Sequence, residues 1–147
     1  MNCFSYETEL TLPVKTYFEQ EGFTMFHEVR IGFCRADLVA CNDDTVVAIE
    51  LKLSNWKKAL VQAKNYQLAA EFVYLAFPLK KTKLVLKKAS DQLNQEGIGL
   101  LSVDEQDERI MIHQEAKKSK RLFARLNKQE ILKRKERREM KQVLHYF

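Results

Sequence analysis

The sequence predicts an α/β fold, a mixed central sheet flanked by helices, with a basic helical extension at its C-terminal end. Three observations carry this expectation. Two extended segments joined by Asn42-Asp43-Asp44 form an antiparallel pair, because that tripeptide has turn composition. The second segment leads into a helical one and then into the wholly apolar Phe72–Phe77, the order of a βαβ unit whose strands run parallel in one sheet. Residues 115–147 hold 12 Lys/Arg against 4 Asp/Glu, whereas residues 1–114 hold 13 against 16.

In chain order, residues 5–22 read as a helix. Leu10, Val14, Tyr17 and Phe18 lie at i, i+4, i+7 and i+8, and Gly22 supplies a C-terminal stop. Pro13 places the start of the regular part near Thr11, since proline is tolerated only in a first turn. Thr24–Phe33, Arg35–Cys41 and Thr45–Leu53 are extended and make an antiparallel meander. Ser54 or Asn55 caps a second helix that runs to about Glu71, with Trp56, Ala59, Leu60 and Ala63 at helical spacing. A third helix covers Thr82–Gln95 and stops at Gly97, and strands Ile98–Val103 and Arg109–His113 flank the acidic turn Asp104–Glu108. From Glu115 onward the composition favours helix. Leu122, Leu126, Ile131, Leu132, Met140, Leu144 and Phe147 form a broken apolar stripe there, as expected of a long, partly packed helix or a helix pair.

At 147 residues, 46% hydrophobic and 31% charged, the chain is long enough to bury a core without disulfides and too apolar to be disordered. The expected organisation is one domain over residues 1–114 and a basic extension over residues 115–147. No apolar run approaches the roughly 20 residues that cross a bilayer. The N-terminal residues lack the basic-then-apolar order of a signal peptide, so a cytoplasmic protein without membrane contact is expected. Cys3, Cys34 and Cys41 are an odd number without CxxC spacing and are expected as reduced thiols. The formal charge of +5 divides into +8 on residues 115–147 and −3 on the remainder. Clustered Lys/Arg release counterions from a phosphate backbone, so a nucleic acid is the expected partner, with Lys117, Lys118, Lys120 and Arg121 as candidate contacts. A homodimer or protein interface through the extension is the competing use of the same charge.

The chemistry concentrates on Thr45–Leu53. Val47, Ile49, Leu51 and Leu53 alternate with Val46, Ala48, Glu50 and Lys52, so the second face ends in a carboxylate and an ammonium roughly 6.6 Å apart along the strand. Charges at the end of an apolar row are expensive to bury without partners. Asp37 sits among apolar neighbours on the preceding strand, and the intervening turn brings it back beside Glu50. Two converging carboxylates with waters and a phosphate oxygen suit Mg²⁺, a hard cation bound through one or two carboxylates. Lys52 then serves either as a cation that stabilises developing charge or, with a lowered pKa, as the base.

Asp37, then Glu50-Leu51-Lys52 after a hairpin, then a helix carrying Gln62-Ala63-Lys64-Asn65-Tyr66, resembles the PD-(D/E)XK nuclease core with its QxxxY motif. The likeness spans about residues 7–77. It implies a restriction-endonuclease-like fold and a DNA endonuclease using Mg²⁺, for which Mn²⁺ can stand in. It also implies roles. Asp37 and Glu50 would bind metal, Lys52 would be catalytic and assist the attacking water, and Gln62 would support the site or contact the backbone. The Leu51 carbonyl is a further candidate metal ligand, and Tyr66, one turn after Gln62 on the same helix face, would fix its helix or touch DNA. Ala36 stands where the family has proline. For the family's first-helix glutamate the choice is Glu9, with Glu7, Glu19 and Glu21 as substitutes.

The plainer readings stand beside these. Trp56 is expected to pack rather than stack on bases. Lys57 and Lys58 either hold phosphates or form a solvated helix face. His27, His113 and His145 lack partners at metal-ligand spacing and stay outside the mechanism. Two alternatives to the DNA nuclease remain: a catalytically inactive DNA-binding or assembly module of the same fold, and an RNA-processing nuclease.

Overall fold

In the computed structural model, which describes residues 3–120, 131–133 and 135, a 3₁₀ turn at Glu7–Leu10 runs directly into α1 (Thr11–Gln20). Pro13 falls in the first turn of α1, where its missing N–H breaks no helical bond. Leu10, Val14 and Phe18 form the buried stripe of this unit.

The sheet contains β1 (Thr24–Ile31), β2 (Cys34–Asn42), β3 (Thr45–Leu51), β4 (Phe72–Pro78), β5 (Gly99–Val103) and β6 (Ile110–Gln114), in that spatial order. β1, β2 and β3 are the expected antiparallel meander. β4 lies parallel to β3 and β5 parallel to β4, and β6 returns antiparallel. The two parallel steps are crossed by α2 (Trp56–Tyr66) and α3 (Leu79–Glu96). Both crossings advance in the same direction along the sheet, and a fixed crossover hand therefore puts both helices on one face. Ala59, Ala63 and Tyr66 of α2 and Val85, Ala89 and Leu93 of α3 pack there with Val46, Ala48, Val73, Leu75 and Leu100. α1 packs on the opposite face with Val47, Ile49, Leu51, Ala76 and Leu101. β3 is thus buried on both sides, which is why its sequence is apolar in both registers until Glu50.

Three helical segments depart from what sequence patterning expects. α2 stops at Tyr66 rather than Glu71, because Gln67–Ala70 form tight turns in which both Ala69 and Ala70 N–H donate to Tyr66 O, and Gln67 Nε2 donates to Glu96 O at 2.7 Å. α3 starts at Leu79. Thr82, expected to open it, is buried one turn in and its hydroxyl donates to Pro78 O at 3.0 Å. Residues 115–120, expected as helix, are not helical. Lys117 N–H donates to Gly97 O at 2.9 Å and Ser119 N–H to Glu71 O at 2.7 Å, so the backbone is bonded to the ends of other elements instead of to itself. Residues 131–133 and 135 are helical, and Ile131 is buried in the core on the α2–α3 side. Arg121 and most of the expected extension, with the interface assigned to it, lie outside the described residues.

Among the described residues no helix is long and apolar enough to cross a membrane. Cys3, Cys34 and Cys41 are free thiols, and burial pushes Cys41 up to about 11.

Candidate active site

The β2–β3 ladder runs from Asn42↔Thr45 to Leu38↔Ile49 and stops one pair short of Asp37 and Glu50. The β1–β2 ladder has the matching gap, with His27↔Leu38 and Val29↔Ala36 paired but Glu28 and Asp37 unbridged. Glu28 has a φ of 52°, a left-handed backbone that breaks the two-residue alternation. Ala36 and Val39, three apart, consequently pack into the same core while Leu38 faces the other. Asp37 sits at this slip, and its Oδ2 accepts the Leu51 N–H at 2.8 Å. A carboxylate has replaced a ladder carbonyl, so β2 and β3 part where Glu50 and Lys52 emerge.

Glu50 is 2% exposed, and its Oε1 is 2.7 Å from the Tyr66 hydroxyl while its Oε2 lies 3.4 Å from Lys52 Nζ. The Lys52 side chain, 12% exposed, also reaches Glu7 Oε2 at 3.9 Å. Burial, then the charge of Asp37, push the Glu50 carboxyl up to about 7 against the opposing pull of Tyr66 and Lys52. Burial likewise raises Asp37, although the Leu51 N–H, the contacting Glu50 carboxyl and Lys52 favour its charged form. Tyr66 OH stands 2.7 Å from the Arg35 carbonyl as well as from Glu50. A phenol has one hydrogen, so the Tyr66 hydroxyl donates to Glu50 Oε1 or to the Arg35 carbonyl, and donation to Glu50 favours its charged form. Burial raises the Tyr66 pKa further above its ordinary range, with Glu50 adding to the effect.

Asp37, Glu50 and Lys52 are therefore brought together, as expected, and two expected roles change. Glu9 is not in the cluster. Its Oε1 accepts the N–H groups of Ser5 and Tyr6, both at 2.9 Å, and closes the start of the 3₁₀ turn, whereas Glu7, 46% exposed, faces Lys52. Tyr66 is fully buried and cannot lie against DNA; it holds Glu50 from behind. Gln62 is half-buried one turn earlier on the same helix, and its Oε1 is shielded from solvent without a hydrogen-bond partner among the described residues. Trp56 packs against the α2–α3 core, and Asn55, not Ser54, caps α2 by accepting Lys58 N–H at 3.3 Å. Lys57, Lys58, Lys117, Lys118 and Lys120 are exposed. His113 bonds to Ser102 Oγ at 2.8 Å, and burial lowers its pKa; it takes no part in the cluster.

The donor set fits a hard divalent cation. Two carboxyls in contact in a buried position repel when both ionise, and Lys52 supplies one positive charge for them. Among the described residues no three His, Cys, Asp or Glu side chains converge as a ready-made cage. Mg²⁺ needs none, since one or two carboxylates with waters and phosphate oxygens complete its octahedron.

No family model matches the chain, and no curated protein matches it. Among solved structures it is similar to SPO1766, a protein of unknown function from Silicibacter pomeroyi, with a TM-score of 0.67 and 18% identity over 91% of this chain and 86% of that one. It is also similar to an XisH family protein from Nostoc punctiforme PCC 73102, with a TM-score of 0.53 and 22% identity over 67% of this chain and 93% of that one. At these identities the likeness is one of fold: a mixed six-stranded sheet between helices, the restriction-endonuclease-like arrangement that the Asp37 and Glu50-Leu51-Lys52 pattern implies.

Proposed function

We propose that the chain is a Mg²⁺-dependent nuclease that hydrolyses phosphodiester bonds of DNA. The observation that carries this reading is the convergence of two buried carboxyls, Asp37 and Glu50, beside Lys52 at the point where β2 and β3 separate. Asp37, Glu50 and the Leu51 carbonyl would hold the metal. A Mg²⁺ so held supplies Lewis acidity toward a phosphate oxygen and lowers the pKa of water.

The chain's own groups do the rest. Tyr66 fixes the Glu50 carboxyl from the core side, and the Leu51 N–H fixes Asp37, so neither carboxylate has to reorganise during the reaction. Lys52, oriented by Glu50 and Glu7, stands where it can stabilise the charge that grows on phosphorus-bound oxygen. In the reaction a water oxygen bonds to phosphorus, the bond from phosphorus to the leaving sugar oxygen breaks, and that oxygen takes up a proton. Exposed Lys57, Lys58, Lys117, Lys118 and Lys120 add sequence-independent attraction for the phosphate backbone.

Incubation of the full chain with plasmid and branched DNA, and with RNA of matched sequence, tests the reading. Cleavage of DNA in Mg²⁺ or Mn²⁺ that stops in EDTA is expected. Binding without cleavage in any divalent metal would leave an inactive module of this fold, and cleavage confined to RNA would reassign the substrate.

A further inference from the structure

The β1–β2 hairpin turns through Gly32 and Phe33, and Phe33 is 78% exposed at its tip. The turn is held on both sides. Asn65 Nδ2 donates to Ile31 O at 2.7 Å, and Tyr66 OH is 2.7 Å from Arg35 O. Gly32, at a φ of 61°, lies so close to the Asn65 side chain that an added Cβ would collide with it. The ring is thus presented on a fixed turn and does not hang from a loose loop.

Arg30 and Arg35 stand directly opposite each other just below this tip, both exposed; Arg30 Nε donates to Gly32 O at 3.4 Å, and neither forms an ion pair among the described residues. Like charges facing across an antiparallel pair are destabilising. In the free chain the ring's apolar surface is left to water and the two facing cations lack counter-charges. Nucleic acid relieves both, with base faces for the ring and phosphates for the guanidinium groups.

The tip is also coupled to the site. The Tyr66 hydroxyl touches both Arg35 O and Glu50 Oε1, and roughly 7 Å of chain separates Phe33 from Arg35, on the order of two base rises along a strand. We infer that Phe33, flanked by Arg30 and Arg35, is a base-stacking platform that selects nucleic acid with an unpaired base beside the cut, as at a junction between single strand and duplex. The inference rests on the nuclease reading for the place of the cut. In intact duplex both faces of each base are covered by their neighbours, and unstacking them opposes binding; an unpaired base offers its face without that cost.

The test is equilibrium binding of the full chain in EDTA to a junction carrying 2-aminopurine as its first unpaired base, and to a blunt duplex of equal length. Wild type is expected to bind the junction about tenfold or more tightly than the duplex and to quench the 2-aminopurine. Phe33→Ala and Phe33→Leu should each lose about tenfold in junction affinity and lose the quench, while Phe33→Trp keeps both. Duplex affinity and melting temperature should be unchanged in all three, since the ring is exposed. Leucine retains an apolar contact but not stacking, so Phe33→Leu behaving as wild type would overturn the platform in favour of a plain apolar contact. Unchanged junction affinity and quench in Phe33→Ala would overturn it outright, even if wild type cuts DNA in Mg²⁺. Platform-dependent binding by a chain that cuts nothing in any metal would instead refute the nuclease reading and leave the stacking site standing.

Discussion

Glu50→Gln is expected to lower the rate of metal-dependent cleavage by about 10³-fold or more while DNA binding is retained, and Asp37→Asn is expected to do the same. Each substitution keeps side-chain volume and the nearest hydrogen bonds. Glutamine still offers Tyr66 an oxygen, and asparagine can still accept the Leu51 N–H. What is removed is the negative charge, half of the carboxylate pair in each case. Lys52→Ala should fall by a similar factor, because it removes the only lysine in ion-pair contact with Glu50 among the described residues. Rates from single-turnover cleavage of a labelled junction, set beside affinities measured in EDTA, separate chemistry from binding. Equal loss of affinity and rate would mean that the pair binds DNA and does not act on it.

The second large effect runs in the opposite direction. Without metal, Glu50→Gln is expected to be more stable than wild type at pH 8 by about 2–3 kcal/mol, on the order of 5–10 °C in melting temperature. The cause is burial. Glu50 titrates at about 7 in the folded chain against an ordinary value of 4.5, so between those values the folded state binds more protons than the unfolded one. Stability that is complete below pH 4.5 is lost as pH rises through 7. Glutamine has no proton to lose, so the advantage of Glu50→Gln should vanish at pH 4.5 and be fully developed by pH 8. Thermal melts of both proteins in EDTA across this range give the answer. A difference that does not depend on pH would mean that Glu50 carries no burial penalty.

These expectations turn on a small region whose neighbours were easier to read than the region itself. The meander and the βαβ unit are legible because local patterns decide them: turn composition at Asn42-Asp43-Asp44, and apolar residues in both registers of β3. The end of β3 is not legible in that way. It stops at Leu51 rather than Leu53: pairing with β2 ends at Ile49, beyond which the Asp37 carboxylate, fourteen residues before Leu51, takes the Leu51 N–H, and pairing with β4 ends at Leu51↔Ala76. The slip at Glu28 that frees Asp37 from its ladder is a backbone event with no signature in hydrophobic alternation.

The role of the first-helix glutamates does have a local signal in the sequence. Glu9 stands three residues after Tyr6, the spacing of a carboxylate that reaches back to cap a helical start, which leaves Glu7 to face Lys52. Helical period puts Tyr66 on the face of Gln62, one turn later. Period alone cannot say whether that face meets solvent or a buried carboxylate on the adjoining sheet, and Glu50 decides it. The basic stretch after β6 looks helical by composition, but its first residues are drawn out by bonds to Gly97 and Glu71.

The central claim is that Asp37 and Glu50 together hold a divalent cation, and calorimetric titration of the chain with Mn²⁺ at pH 8 tests it most directly. One ion per wild-type chain is expected, with no binding by Glu50→Gln or Asp37→Asn. At pH 6, below the Glu50 value of about 7, weaker binding accompanied by proton release is expected. Binding of equal strength in all three proteins, or none in wild type, would contradict the account.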